Sequence, residues 1–368
     1  MATMNEMETI VGRALRCQYN VFFRSKPALG KTTKINEIVA GYQAENPDFV
    51  YVYLDGGTLQ PPDVVMSMPD MAEQTIRKLV DGTLPNWYVT PDAVGIIYVG
   101  EWMLMGLEVS KGFQKLINHE DIGGFRLPPG VIVIADGNRV KDKSGGMLQS
   151  RAIMSRFKTY ELEYSTDYAL EVMKTYHERV AAFAIRNPSE IDNYEDVFEN
   201  DERSENDITY QEGKVHGIWA SLRSWDRVSR EMRDSDATGV MLLPDETTRN
   251  VGTAMAAKFG AFCHMLDNLA TLEDILREPK KVAVPQRMDE QYALTTMLAL
   301  LVNKDSWEAI DTYCQRFTPE LQTCYFQLMN DRLKKAKDGN ESFIKSTVTY
   351  KKWITASYIN KILQGASS

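Results

Sequence analysis

The stretch Ser25-Lys26-Pro27-Ala28-Leu29-Gly30-Lys31-Thr32-Thr33 has the residue types and spacing to hold a chain of phosphates. It fits the G-x-x-x-x-G-K-[ST] loop, with Ser25 where the first glycine belongs. In that loop Pro27, Ala28, Leu29, Gly30, Lys31, Thr32 and Thr33 would surround the ligand. Backbone N–H groups and a helix N-terminus would then point at one anion. Lys31 would add a point charge at the β- and γ-phosphates, and the Thr32 hydroxyl would ligate Mg²⁺, so the cofactors implied are ATP and Mg²⁺. Ser25 costs little if its φ is negative and about 1 kcal/mol if it is positive.

Further along the chain stand residues that could act on such a ligand. Glu101 ends an apolar run about 70 residues beyond Lys31 and could polarise an attacking water. Alone, it reads equally well as the first polar residue after a buried strand. Asn138 closes Ala135-Asp136-Gly137-Asn138 and could hold that water, although Asn also caps and turns. Arg156 ends Leu148–Arg156, where an arginine could reach a neighbouring subunit's γ-phosphate, and Arg223 opens a later helix. Arg139 and Arg151 are secondary candidates for such contacts, and for each arginine an exposed surface position is the plain alternative.

Strands and helices alternate around these residues. Gln18–Phe23, Phe49–Leu54, Val94–Val99, Val131–Ala135 and Thr159–Leu162 read as buried strands, with helices over Lys34–Ala40 and Glu108–Asn118. Met71–Val80 reads as a helix inside an insertion that begins at the proline-rich Gln60–Pro69, and Glu120–Pro129 as a hairpin. The alternation predicts an α/β fold, a mostly parallel sheet flanked by helices, with functional residues just past the strand ends. From Tyr168 onward the pattern is helical throughout: Tyr168–Ile185, Gly213–Arg233, Val251–Leu276, Asp289–Leu301, Trp307–Gln315 and Glu320–Lys335.

Composition narrows the class. The chain of 368 residues is 43% hydrophobic and 25% charged, which suits a soluble globular protein of two or three domains. It has no run long enough to cross a membrane, and Met1–Leu15 lacks the features of a secretion signal. Cys17, Cys263, Cys314 and Cys324 are scattered without histidine partners, as expected for reduced thiols in the cytoplasm. A net charge of −9 argues against a broadly basic nucleic-acid surface while leaving a local basic pore open. The acidic Asn193–Asp207 reads as a solvated loop, with a docking role as the alternative.

Together these motifs resemble the AAA+ ATPases of the MoxR-like, dynein-related group, over roughly residues 8–235. The resemblance implies that Lys31 and Thr32 are the Walker A pair, Glu101 the Walker B glutamate and Asn138 the sensor-1 asparagine. It makes Arg156, in Ser-Arg-Phe, the arginine finger and Arg223, in Leu-Arg-Ser-Trp, the sensor-2 arginine. Gln60–Val80 lies where the group carries its helix-2 insertion and Glu120–Pro129 where it carries the pre-sensor hairpin, features that line a ring's pore. The implied organisation is an AAA+ P-loop core over 1–165, an all-α lid over 166–240 and a C-terminal helical region over 241–368.

The resemblance further implies a homo-oligomeric ring, expected to be a hexamer, with ATP-Mg between subunits. The work implied is remodelling or chaperoning of a protein client, with a von Willebrand factor A domain protein as partner. The divergent motifs look like those of phage-encoded members. One departure is chemical: Gly100 replaces the Walker B Asp, so a nucleotide-gated scaffold with little hydrolysis is the alternative. Asp55 and Asp136 are strand-end carboxylates that could compensate. DNA-directed work is a third reading, disfavoured by the acidic charge.

Overall fold

A computed structural model describes residues 2–60, 66–70, 75–79, 92–120, 126–139, 142, 149–199, 218–243 and 245–335. The chain divides into two compact units, Met1–Tyr168 and Ala169–Ser368.

The first unit is built on strands β1 (Ala2–Thr3), β2 (Asn20–Ser25), β3 (Val50–Asp55), β4 (Met66–Asp70), β5 (Thr75–Leu79), β6 (Val94–Gly100), β7 (Gly130–Asn138) and β8 (Phe157–Glu163). Six of them form one sheet in the order β1-β8-β2-β7-β6-β3, and every pairing in it is parallel. The strand that enters the phosphate loop therefore lies inside the sheet, between β7 and β8. Its helices are α1 (Met7–Cys17), α2 (Lys31–Glu45), α3 (Leu107–Ile117) and α4 (Arg151–Met154).

Alternation along the strands separates two buried faces. Phe22, Ile97, Val99, Val131, Val133 and Ala135 pack in one core with Trp102 and the α3 residues Val109, Phe113 and Leu116. The intervening Val21, Phe23, Ile96, Tyr98, Ile132 and Ile134 are buried toward the opposite face, where α2 begins. The expected P-loop α/β core, a parallel sheet flanked by helices, is present, as is the helical region after it.

Several expected elements are corrected. Met71–Val80 is not a helix: Met66–Asp70 and Thr75–Leu79 pair as an antiparallel hairpin. Residues 61–65, 71–74 and 80–91 of that stretch lie outside the described residues. Thr75 and Ile76 favour strand, and Pro69 is tolerated because a two-stranded ribbon is all edge. Of the expected Glu120–Pro129 hairpin, residues 121–125 are likewise outside, and the flanking residues form no strand. Gln18 is not strand but the left-handed residue (φ 53°) that ends α1. That helix was not anticipated, although Met7, Ile10, Val11 and Ala14 are spaced along one helical face and are buried.

The second unit is helical: α5 (Thr166–Met173), which straddles the boundary, then α6 (Glu178–Arg186), α7 (Tyr194–Glu199), α8 (Leu222–Thr238), α9 (Glu246–Val251), α10 (Thr253–Asp267), α11 (Leu272–Arg277), α12 (Met288–Leu301), α13 (Trp307–Cys314) and α14 (Pro319–Lys335). The single helix expected over Tyr168–Ile185 is two, because His177 turns extended and caps α6 with its own side chain. Val251–Leu276 is interrupted at Gly252 (φ 83°) and again at Asn268–Thr271. The expected loop at Asn193–Asp207 starts as the helix α7, with Tyr194 buried, and residues 200–217 lie outside the described residues. Phe183, Trp225, Phe259 and Phe262 meet edge to face or tilted in one cluster. Leu294, Leu298, Tyr313, Phe317 and Tyr325 centre a second.

Candidate functional site

Ser25 is the last residue of β2 and is fully buried. The loop then turns through Ala28 (φ 60°) and Gly30 (φ 91°), and α2 starts at Lys31. Leu29 is 2% exposed and anchors the turn, while Thr32 and Thr33 are exposed on the first helical turn. Ser25, as a strand residue, lies outside the loop's left-handed positions, which explains why it can replace glycine.

Lys31 is the hub. Its ammonium donates to Ser25 Oγ at 3.0 Å and to Asn138 Oδ1 at 3.4 Å, and it faces Asp136 Oδ2 at 3.6 Å. Parallel register makes this convergence possible, because Ser25 pairs with Asn138 and Phe23 with Asp136 across β2 and β7. Asn138 in turn donates from Nδ2 to Glu101 Oε2 at 3.3 Å. Glu101 follows β6 in the left-handed region (φ 51°), and its backbone N–H donates to Asp136 Oδ1 at 2.8 Å. Four residues singled out in the sequence, Lys31, Thr32, Glu101 and Asn138, thus lie in one neighbourhood. Asn138 is the end of the strand itself rather than a residue beyond it.

Two tyrosines belong to this neighbourhood and were missed. The Tyr98 hydroxyl lies 3.1 Å from Thr32 Oγ1, and the Tyr53 and Tyr98 rings pack at 5.4 Å between centroids. Burial pushes the Tyr98 hydroxyl far above its ordinary pKa, with the Asp136 charge adding to the effect. Tyr53 is raised by burial and then by Asp55, Asp136 and Glu101. Both read in sequence as members of apolar strands. The signal available was their alternation with Asp55 and Gly100, which places all four on one face.

The arginines fall elsewhere. Arg156 stands two residues past α4, not at its end, and donates to Asn118 Oδ1 at 2.6 Å and to the Ala152 carbonyl. Arg139 forks onto the buried Asp142 at 2.8 Å, and Arg151 is exposed as the first residue of α4. Arg223 is exposed in the first turn of α8, in the second unit. Asp55 binds the Gly57 N–H at 3.0 Å and closes a turn.

Among the described residues one cluster has metal-ligand types, His177, Glu178 and Asp236. There His177 Nδ1 accepts the Arg179 N–H at 3.2 Å and Nε2 lies 2.8 Å from Asp236 Oδ2. With Nδ1 accepting in the cap, Nε2 carries the proton and donates to Asp236, which leaves no lone pair for an ion.

No family model matches the chain, and no curated protein does. Solved structures with a remote likeness include a RuvB variant from Thermotoga maritima, at 14% identity over 76% of this chain and 78% of that one, with a TM-score of 0.37. A DNA polymerase III gamma subunit-related protein from the same organism is 10% identical over 98% and 92%, with a TM-score of 0.33. Hsp104 in a closed state with ATPγS and casein is 12% identical over 46% of this chain and 35% of that one, at a TM-score of 0.35. Among the described residues no helix is long and apolar enough to cross a membrane.

Proposed function

We propose that this chain is a P-loop AAA+ ATPase that binds ATP-Mg and assembles into a homo-oligomeric ring, a hexamer in the expected form, to remodel a protein client. The observation that carries this reading is the hub at Lys31: the loop lysine, the strand-end Asn138 and, through Asn138, Glu101 are joined by side-chain contacts. Their chemistry is complementary. Lys31 and the N-terminus of α2 favour an anion, Thr32 offers a hydroxyl to a cation, and Glu101 can take a proton from a water that Asn138 orients. Bound Mg²⁺ would supply charge neutralisation on the phosphates. The buried Asp136 carboxylate beside Lys31 and the Tyr98 hydroxyl beside Thr32 are oxygen groups of the kind such an ion requires.

Arg156 and Arg223 are proposed as the finger and the lid arginine. In that role Arg156 would leave Asn118 to reach a neighbour. A MoxR-like branch, a von Willebrand factor A domain partner, a phage origin and a cytoplasmic setting are parts of the proposal that rest on the motif resemblance alone. The second reading, a nucleotide-gated scaffold, is favoured by Gly100, whose missing side chain leaves the metal without its usual strand-end carboxylate.

Turnover of the purified protein separates the two. The motor reading expects Lys31→Ala and Glu101→Gln each to lower ATP turnover by about 100-fold or more, as removal of electrostatic and acid–base groups does. Wild-type turnover equal to that of Lys31→Ala leaves the scaffold.

A further inference from the structure

Gly100 lacks a carboxylate, and a side chain there would press on Tyr53. A Cβ built on Gly100 would lie 3.0 Å from both Cε2 and the hydroxyl of Tyr53. One strand across the sheet the picture reverses. Val99 pairs with Ala135, and the next level on β7 is Asp136, whose Oδ1 accepts the Glu101 N–H at 2.8 Å. Asp136 therefore stands at the height of Gly100, displaced sideways by one strand spacing, about 4.8 Å. It shares the face of Tyr98, the residue in contact with Thr32.

The carboxylate is 3% exposed, and a buried charge is retained only against a compensating one. Lys31 is that partner, at 3.6 Å. Holding Lys31 does not exhaust its use, because Ser25 and Asn138 already accept from the ammonium at the shorter distances of 3.0 and 3.4 Å. Thr32 adds a second observation. A hydroxyl that ligates a cation through its oxygen must place its hydrogen on another acceptor, and Tyr98 Oη is at hand, 3.1 Å away.

We propose that Asp136 supplies, from the neighbouring strand, the metal-side carboxylate that Gly100 lacks, with Tyr98 orienting Thr32. Asp136 would act through water on a divalent cation, as a positioning residue. This inference rests on the nucleotide-binding reading above.

The test is the affinity for ADP and for a non-hydrolysable ATP analogue, each measured in Mg²⁺ and in EDTA, for wild type, Asp136→Asn and Tyr98→Phe. Wild type is expected to bind more tightly in Mg²⁺. Asp136→Asn should lose about 10–100-fold in Mg²⁺, the usual effect of removing an outer-sphere partner of a metal. In EDTA it should bind as well as wild type or better, since a negative charge beside the phosphates has gone. An equal loss in both conditions would identify Asp136 as a mere holder of Lys31 and overturn the proposal. Wild-type affinity indifferent to Mg²⁺ overturns it as well. If Asp136→Asn fails to fold, Tyr98→Phe decides: an unchanged ratio of Mg²⁺ to EDTA affinities counts against the assignment, a reduced one for it. Wild type that binds neither nucleotide in either condition defeats the nucleotide reading itself, a separate outcome.

Discussion

At the scale of single residues, Gly100 and Tyr53 form a pair that the sequence could not display, because register across β3 and β6 sets it. Read along the chain, restoring the missing acid by Gly100→Asp looks like a repair. In the structure the new side chain meets the Tyr53 ring at 3.0 Å. Gly100→Asp alone should therefore destabilise the protein by about 1 kcal/mol, the low end of what overpacking costs, because Tyr53 is 48% exposed and its ring can shift, without raising turnover. Adding Tyr53→Ala should recover most of that loss, which paired thermal melts would show. The loop residues and the identities of Glu101 and Asn138 were legible because motif spacing and strand ends are local properties. Asp136 was legible as one of two strand-end carboxylates that could compensate for Gly100, but the choice between it and Asp55, and the contact of Tyr98 with Thr32, depend on which strands become neighbours.

At the scale of elements, the polar residue that starts β2 ties the sheet to a helix. Asn20 is 6% exposed, donates from Nδ2 to the Ile117 carbonyl at 3.0 Å and accepts the Val133 N–H at 2.8 Å. Asn20→Leu leaves both backbone groups buried and unpaired. A loss of about 1–3 kcal/mol per orphaned group is expected, measurable as a lower denaturant midpoint. The five long sheet strands were readable as apolar runs, whereas Met71–Val80, which holds the second strand of the hairpin, reads as a helix. In that stretch Met, Ala, Glu, Lys and Leu carry helix propensity, and the pairing that overrides it is invisible in one strand alone. In the second unit, helical content was legible but helix breaks were not. His177 starts α6 as its N-cap and Gly252 ends α9 with a positive φ, local features that periodicity does not register.

At the scale of the whole molecule, buried and half-buried tyrosines and thiols set the alkaline limit of stability. Burial pushes Tyr51 and Tyr168 up to about 12, and Tyr98 is raised further. Unfolded tyrosine ionises near pH 10, so these groups hold their protons more tightly in the folded state. Their contribution is complete below about pH 10 and is lost as the pH climbs toward about 12. Burial likewise pushes up the thiols of Cys263, to about 11, Cys314 and Cys324, which ionise near about pH 8.5 when unfolded. Urea midpoints should therefore begin to fall from about pH 8.5 and fall more steeply beyond about pH 10. A different tension lies in the backbone at Glu101. Its φ of 51° is a conformation that glycine adopts freely and glutamate does not, at about 1–2 kcal/mol. Glu101→Gly should thus melt no lower than wild type and, on the role proposed above for Glu101, lose ATP turnover, compared in parallel melts and turnover assays. Robustness and chemistry pull in opposite directions at this position. A screen that rewarded heat resistance alone would discard the glutamate, so thermal selection on this protein should enrich for inactive survivors.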